Sequence, residues 1–201
     1  MALTFYTHPM SRGRIARWML EEVGAPYETV ALDYATTMKA APYVSLNPMG
    51  KVPALVHDGV VVTEVAAIIT YLAQTFPEAG LMPKDIASYY RWMFFGAGPV
   101  EQAVVNTSLG WVPAPDKEGR TGYGNLGRVV ATLTDHFGNH PFACGDTFSA
   151  ADVYLGSQIG WGLRFGTMPG NDVLSAYWDR LKTRPALARG AALDDALMKK
   201  E

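Results

Sequence analysis

Strand patterns end early in this chain of 201 residues. Apolar runs with strand character occur at Leu3–Tyr6, Val30–Leu32, Val52–Val56 and Val60–Val62, and everything beyond Pro83 reads as helix or loop. Between the early strands lie an amphipathic run from Arg12 to Val23 and a second one opening at Thr63-Glu64 and running through Leu72. The order is therefore β-α-β, then a hairpin, then a helix, which specifies an α/β domain with a mixed sheet. An all-helical domain follows. Pro77–Pro83 reads as the linker, so the first domain is expected at residues 1–78 and the second at 84–201.

Local punctuation supports that layout. Ile15, Trp18, Met19 and Val23 fall at helical spacing, with Ser11 as the expected N-cap and Gly24 as the stop. Asp58-Gly59 between two apolar runs signals a tight hairpin. Ile86 to about Leu109 reads as one long helix with a kink or break at Gly96, Gly98 and Pro99. Phe148-Ser149-Ala150-Ala151-Asp152-Val153 has the form of a capping box, with Phe148 and Val153 at the staple positions. Two short helices are expected at 171–184 and 186–198, separated at Pro185.

Composition excludes several function classes. A net charge of −2 offers no case for a nucleic-acid partner. No apolar run reaches the ~18 residues of a membrane span. The single Cys144 excludes an intramolecular disulfide and a cysteine-based metal cluster. With no basic-then-apolar leader, the expected location is cytoplasmic.

The most unusual stretch is Phe5-Tyr6-Thr7-His8-Pro9-Met10-Ser11-Arg12, a strand running through a turn into a helix. Arg12, Arg14 and Arg17 crowd the first turns, where the exposed N–H groups already carry partial positive charge. Any one of these arginines is adequately explained as a solvated side chain with a packed stem. The three together, after a capped turn, suggest a place where an anion is held.

Four stretches, in order and at these intervals, resemble the glutathione transferase superfamily: His8-Pro9-Met10-Ser11-Arg12, Asn47-Pro48-Met49-Gly50-Lys51-Val52-Pro53, Thr63-Glu64-Val65-Ala66-Ala67-Ile68 and the box at Phe148–Asp152. The resemblance covers essentially the whole chain. It implies a thioredoxin-like α/β N-terminal domain with Pro53 in the cis form, followed by an all-α helical C-terminal domain. It also implies glutathione as co-substrate, no metal, and a homodimer. Thioredoxin-type folds often carry Cys-Pro-x-Cys at the first turn. Here the frame reads His8-Pro9-Met10-Ser11, so thiol–disulfide exchange from this turn has no thiolate to use. What remains is stabilising the thiolate of a bound thiol.

The resemblance places the working residue at Ser11 first, as in phi-type members, with His8 and Tyr6 behind it. Each also has a plainer role: Ser11 as a cap, His8 as a turn residue, Tyr6 as core. Val52 and Pro53 are expected to pair with the cysteinyl backbone, and Glu64 to receive the γ-glutamyl ammonium. Lys51 and Lys39 are candidates for the glycine carboxylate, and Arg12 for the sulfur or a carboxylate. Where the family usually has Ser, this chain has Val65, so one hydrogen bond to the γ-glutamyl carboxylate is missing. Phe94, Phe95, Asn106, Trp111, Tyr123 and Phe165 are candidates to line an electrophile site from the second domain.

The implied activity is conjugation of glutathione to small hydrophobic electrophiles, with a glutathione-dependent peroxidase as a side activity. The alternative is a non-catalytic binding or interaction protein that keeps the fold. Val65 and the absent cysteine favour the alternative. Pro53, Glu64 and the charged helix start favour the enzyme.

Overall fold

A computed structural model describes residues 2–198 and separates them into two units, one of residues 2–79 with 184–198 and one of residues 80–183. In the first, β1 (Leu3–Thr7) lies between β2 (Glu28–Ala31) and β3 (Ala54–His57), and β4 (Val60–Thr63) forms the far edge beside β3. β1 and β2 run parallel, while β3 is antiparallel to both β1 and β4. The expected mixed sheet is therefore present.

Alternation along β1 gives the sheet two packed faces. Phe5 and its strand partner Leu55 are fully buried, as are Ile15, Met19 and Leu20 of α1 (Gly13–Val23) and Ile68, Ile69 and Leu72 of α3 (Val65–Thr75). Tyr6 belongs to the opposite set. With Val30, Ala54 and Val52 it packs against Leu32, Met38, Leu46 and Tyr43 of the short helix α2 (Ala41–Val44). Two local signals act as expected. Gly24 adopts φ 73° and ends α1, and Asp58 and Gly59, at φ 46° and 86°, close the β3–β4 hairpin.

The C-terminal helix departs from the expected division. α9 (Pro185–Met198) packs on α1 in the first unit and does not belong with the other helices. Its buried positions Ala186, Gly190 and Asp194 recur every fourth residue, which makes one narrow stripe. The partner of that stripe is Arg17, a fully enclosed guanidinium. Arg17 Nε donates to Asp194 Oδ1 at 2.7 Å, its Nη1 donates to Tyr27 Oη at 3.0 Å and Thr29 Oγ1 at 3.2 Å, and its charge lies 5.0 Å from the Phe5 ring centre. At the rim, Arg184 grips Glu22 through two bonds of 2.6 and 2.8 Å, and Arg189 Nε reaches Glu21 at 3.0 Å.

In the second unit the long helix read from Ile86 to Leu109 is broken where the sequence indicated. α4 (Ile86–Phe95) and α5 (Glu101–Ser108) are joined by a π-type segment, Gly96–Val100, in which Pro99 has no N–H to contribute. α6 (Leu126–Asn139), α7 (Ala150–Phe165) and α8 (Asp172–Leu181) follow. The capping box forms at the start of α7, and its acid does more than cap. Asp152 Oδ1 accepts from Ala143 N–H at 2.7 Å and Tyr177 O–H at 2.9 Å, while Oδ2 accepts from Ser149 N–H at 2.9 Å. Burial raises its carboxyl, and these donors oppose the rise. Among the described residues, no helix is long and apolar enough to cross a membrane.

Two outcomes are expected. Asp194→Ala leaves the Arg17 charge buried and unpaired, which costs about 3–5 kcal/mol. Asp195→Ala, on an exposed pair with Arg14, costs less than about 1 kcal/mol; urea unfolding of the two variants measures the contrast. The second concerns pH. Burial and the bond donated to Glu21 push the Tyr27 phenol up to about 12. Its neutral form is thus favoured by folding, so its stabilisation is complete below about pH 10 and is lost as pH rises through 12. The stability gap between wild type and Tyr27→Phe should shrink over that window.

Candidate functional site

Strand register brings three separate turns to one edge of the sheet. Tyr6 lies opposite Ala54, and Ala54 lies opposite Thr63. The turn after β1, the segment entering β3 and the residue leaving β4 are therefore neighbours, although sequence separates them widely. These segments carry His8–Arg12, Val52-Pro53 and Glu64-Val65.

The first turn is drawn tightly against the strand it follows. A Cβ on Gly13 would fall 2.0 Å from Thr7 Oγ1, so only glycine fits there. Ser11 sits just outside the helix. Its Oγ accepts from Gly13 N–H at 2.9 Å and donates to His8 O at 2.7 Å. The N-cap itself is Arg12, one residue later than expected, and no side chain caps there; Ser11 instead braces the turn, and its single hydroxyl proton is committed to His8. To donate to a ligand, that O–H has to rotate away from the His8 carbonyl. His8 is buried, its Nδ1 accepts from Met10 N–H at 3.0 Å, and its ring lies 4.1 Å from that of Tyr34. Tyr6 is in the sheet and not in the turn, with its ring 5.5 Å from Tyr43.

The expected cluster of three arginines does not assemble. Arg17 faces α9, and Arg14 is divided between Pro9 O, at 2.6 Å from its Nε, and Asp195 Oδ1, at 2.6 Å from its Nη2. The physical reason is helical geometry: positions 14 and 17 are three apart and share the face that α9 covers. Arg12 alone stays exposed at the helix start.

The second segment is a scaffold for one peptide bond. Val52-Pro53 is cis. Asn47, which is buried, donates from Nδ2 to Lys51 O at 2.8 Å and accepts at Oδ1 from Met49 N–H at 3.1 Å. Tyr43 O–H also donates to Lys51 O. Lys39 Nζ donates to Gly50 O at 2.5 Å, while Lys51 extends into solvent. Asn47 and Tyr43 were missed as site-supporting residues; the signal available was a polar amide inside an otherwise apolar turn.

At the third segment Glu64 adopts φ 67° and ψ 123°, a conformation that costs a non-glycine residue about 1–3 kcal/mol. Its carboxylate does not cap α3 and is exposed. The first N–H groups of α3 have no partner within the helix, and no acid occupies its first turn. Val65, where a hydroxyl was expected by resemblance, is buried. The edge thus offers a helix start beside Ser11, backbone at Val52, and a second helix start beside a carboxylate. That set can hold an extended peptide with two charged ends and a thiol.

Residues of the second unit divide by environment. Phe94, Trp111 and Phe165 are largely exposed, Tyr123 is buried and accepts from Asn106 Nδ2 at 3.1 Å, and Phe95 packs edge-on against Trp92. Cys144 is half-buried, and burial pushes its thiol up. Among the described residues, no group of three or more His, Cys, Asp or Glu could hold a metal ion.

Residues 1–74 match the glutathione S-transferase N-terminal domain. Glutathione S-transferase GST-4.5 of Xanthomonas campestris is 28% identical over 192 residues, covering 89% of this chain and 92% of its own. Glutathione S-transferase 1 of Dianthus caryophyllus is 30% identical over 170 residues, covering 73% of this chain and 72% of its own. The structure of a sphingomonad glutathione S-transferase complexed with glutathione superposes with a TM-score of 0.77 at 26% identity, over 96% of this chain and 98% of that one. The chain belongs to the glutathione S-transferase family.

Proposed function

We propose that this chain binds glutathione along the aligned edge, stabilises its thiolate at the start of α1, and transfers it to small hydrophobic electrophiles. The observation that carries the reading is the register-imposed alignment of Ser11, the cis Val52-Pro53 bond and Glu64. In this reading the Val52 backbone pairs with the cysteinyl unit, Glu64 takes the γ-glutamyl ammonium, and the N–H groups opening α3 take the γ-glutamyl carboxylate. Lys39 and Lys51 flank the glycine carboxylate. A free thiol has a pKa of about 8.5, so a donor aimed at sulfur raises the population of nucleophile at neutral pH. Ser11 is that donor after its hydroxyl rotates, assisted by the helix start and Arg12. A peroxidase side activity would use the same thiolate.

An apolar electrophile fits the rim of this edge, where the Met10 and Met49 side chains and the Tyr34 ring are exposed. The homodimer belongs to the same proposal. Ile86, Tyr90 and Phe94, each one turn apart on α4, form an exposed apolar stripe that a second copy would cover. A cytoplasmic setting suits a chain with one cysteine and no disulfide.

Titration calorimetry with reduced glutathione in two buffers tests the reading. Saturable binding with proton release near neutral pH is expected. Binding without proton release would favour a non-catalytic binding protein, and no binding at millimolar ligand would overturn the glutathione site. Ser11→Ala should lower kcat for an aryl halide about 10- to 100-fold, the weight of a hydrogen bond to a charged group, with glutathione affinity little changed. Val65→Ser should tighten glutathione binding about tenfold by supplying the missing hydroxyl, read by the same calorimetry.

A further inference from the structure

Every carbonyl of the turn from His8 to Met10 is held by a side chain. His8 O accepts from Ser11 Oγ, Pro9 O from Arg14 Nε, and Met10 O from Tyr34 Oη at 2.8 Å. The Met10 N–H is held as well, by His8 Nδ1. Two of these four grips act on one residue, and the two side chains that make them are packed ring on ring, 4.1 Å apart. Met10 is the residue before Ser11, and its own side chain is 69% exposed, so its packing fixes nothing. Tyr34 therefore fixes the peptide that leads into Ser11, through Met10 O, and His8 fixes the one before it, through Met10 N–H.

Tyr34 is itself supported. It follows Asp33, whose Oδ1 accepts from Ala35 N–H at 3.0 Å, Thr36 N–H at 2.9 Å and Thr36 O–H at 2.8 Å. That turn projects Tyr34 from the loop after β2 across to Met10, 24 residues away in sequence. Partial burial raises the Tyr34 phenol, against the pull of the nearby Arg12 charge, so it remains a proton donor throughout the neutral range.

We propose that Tyr34 and His8 are positioning residues for thiol activation: they hold Met10 by its carbonyl and its N–H, and through it set where the Ser11 hydroxyl, once rotated off His8 O, meets the glutathione sulfur. The assignment rests on the reading of this turn as the thiol site. It gives His8 a role that requires no contact with the substrate, since its Nδ1 serves the backbone.

Tyr34→Phe removes the donor and keeps the ring, His8→Ala removes the acceptor, and His8→Asn returns an acceptor oxygen near the position of Nδ1. The thiolate absorbance of bound glutathione is followed against pH in each variant, together with kcat and KM for an aryl halide, and circular dichroism checks folding. Tyr34→Phe and His8→Ala should each move thiol ionisation to higher pH and lower kcat at neutral pH about fivefold, the weight of one neutral hydrogen bond. KM for the electrophile should stay unchanged, and His8→Asn should recover most of the loss. Unchanged thiol ionisation in Tyr34→Phe, with an altered electrophile KM, would overturn the proposal and make Tyr34 only an apolar wall. If His8→Ala fails to fold, Tyr34→Phe decides alone. A wild-type protein that shows no thiolate band with glutathione would instead refute the thiol-site reading beneath it.

Discussion

A guanidinium shut away from water must find its counter-charge inside the protein, and Arg17 imposes that requirement on the whole first unit. Its location on the inner face of α1, over Phe5, rules out a solvent answer. Tyr27 and Thr29 hold its Nη1 from the start of β2, and Asp194 holds its Nε from α9, while Nη2 is buried with no hydrogen-bond partner among the described residues. The chain therefore has to return to its first helix after more than a hundred residues of helical structure. Arg184 and Arg189 then close the rim of the same contact on Glu22 and Glu21. Replacing one buried partner leaves the other charged and dry, whereas rim pairs remain wet and contribute little.

This anchoring reaches the candidate site through Arg14. One side of its guanidinium meets Asp195 of α9 and the other meets Pro9 O in the turn. The turn is thus secured from α9, from its own Ser11, and from the loop that carries Tyr34. A site assembled from loop segments gains precision when each backbone group has a fixed partner, because an unsatisfied carbonyl would seek water and let the turn move. The cis Val52-Pro53 segment is organised in the same way, with Asn47 and Tyr43 both donating to Lys51 O. Glu64 keeps its positive φ beside them, an arrangement that persists only where surrounding structure determines it.

Much of the fold was legible because its signals are local. Asp58-Gly59 can form a two-residue hairpin turn whatever lies elsewhere, and Gly24 can end a helix by its own freedom at positive φ. Pro99 marks the break between α4 and α5 because it lacks an N–H. The candidate site was legible in outline through the three motif stretches, which the sheet register joined. The arginines were misjudged as a group: at the sequence level Arg12, Arg14 and Arg17 look alike, and their environments diverge only once α9 covers one face of α1. Tyr34 gave no signal because a tyrosine in a polar loop has no distinguishing spacing, and its partners are the backbone of Met10 and the ring of His8.

By itself the sequence determined where strands give way to helices, where several elements stop, and which turns carry the residues of the candidate site. These follow from backbone preferences, capping and periodicity, all of which act within a few residues. Tertiary structure decided that the last helix completes the first unit, and that Arg17 is a buried pillar and not an anion ligand. Those outcomes depend on contacts between residues as far apart as 177 positions, and no local pattern encodes them.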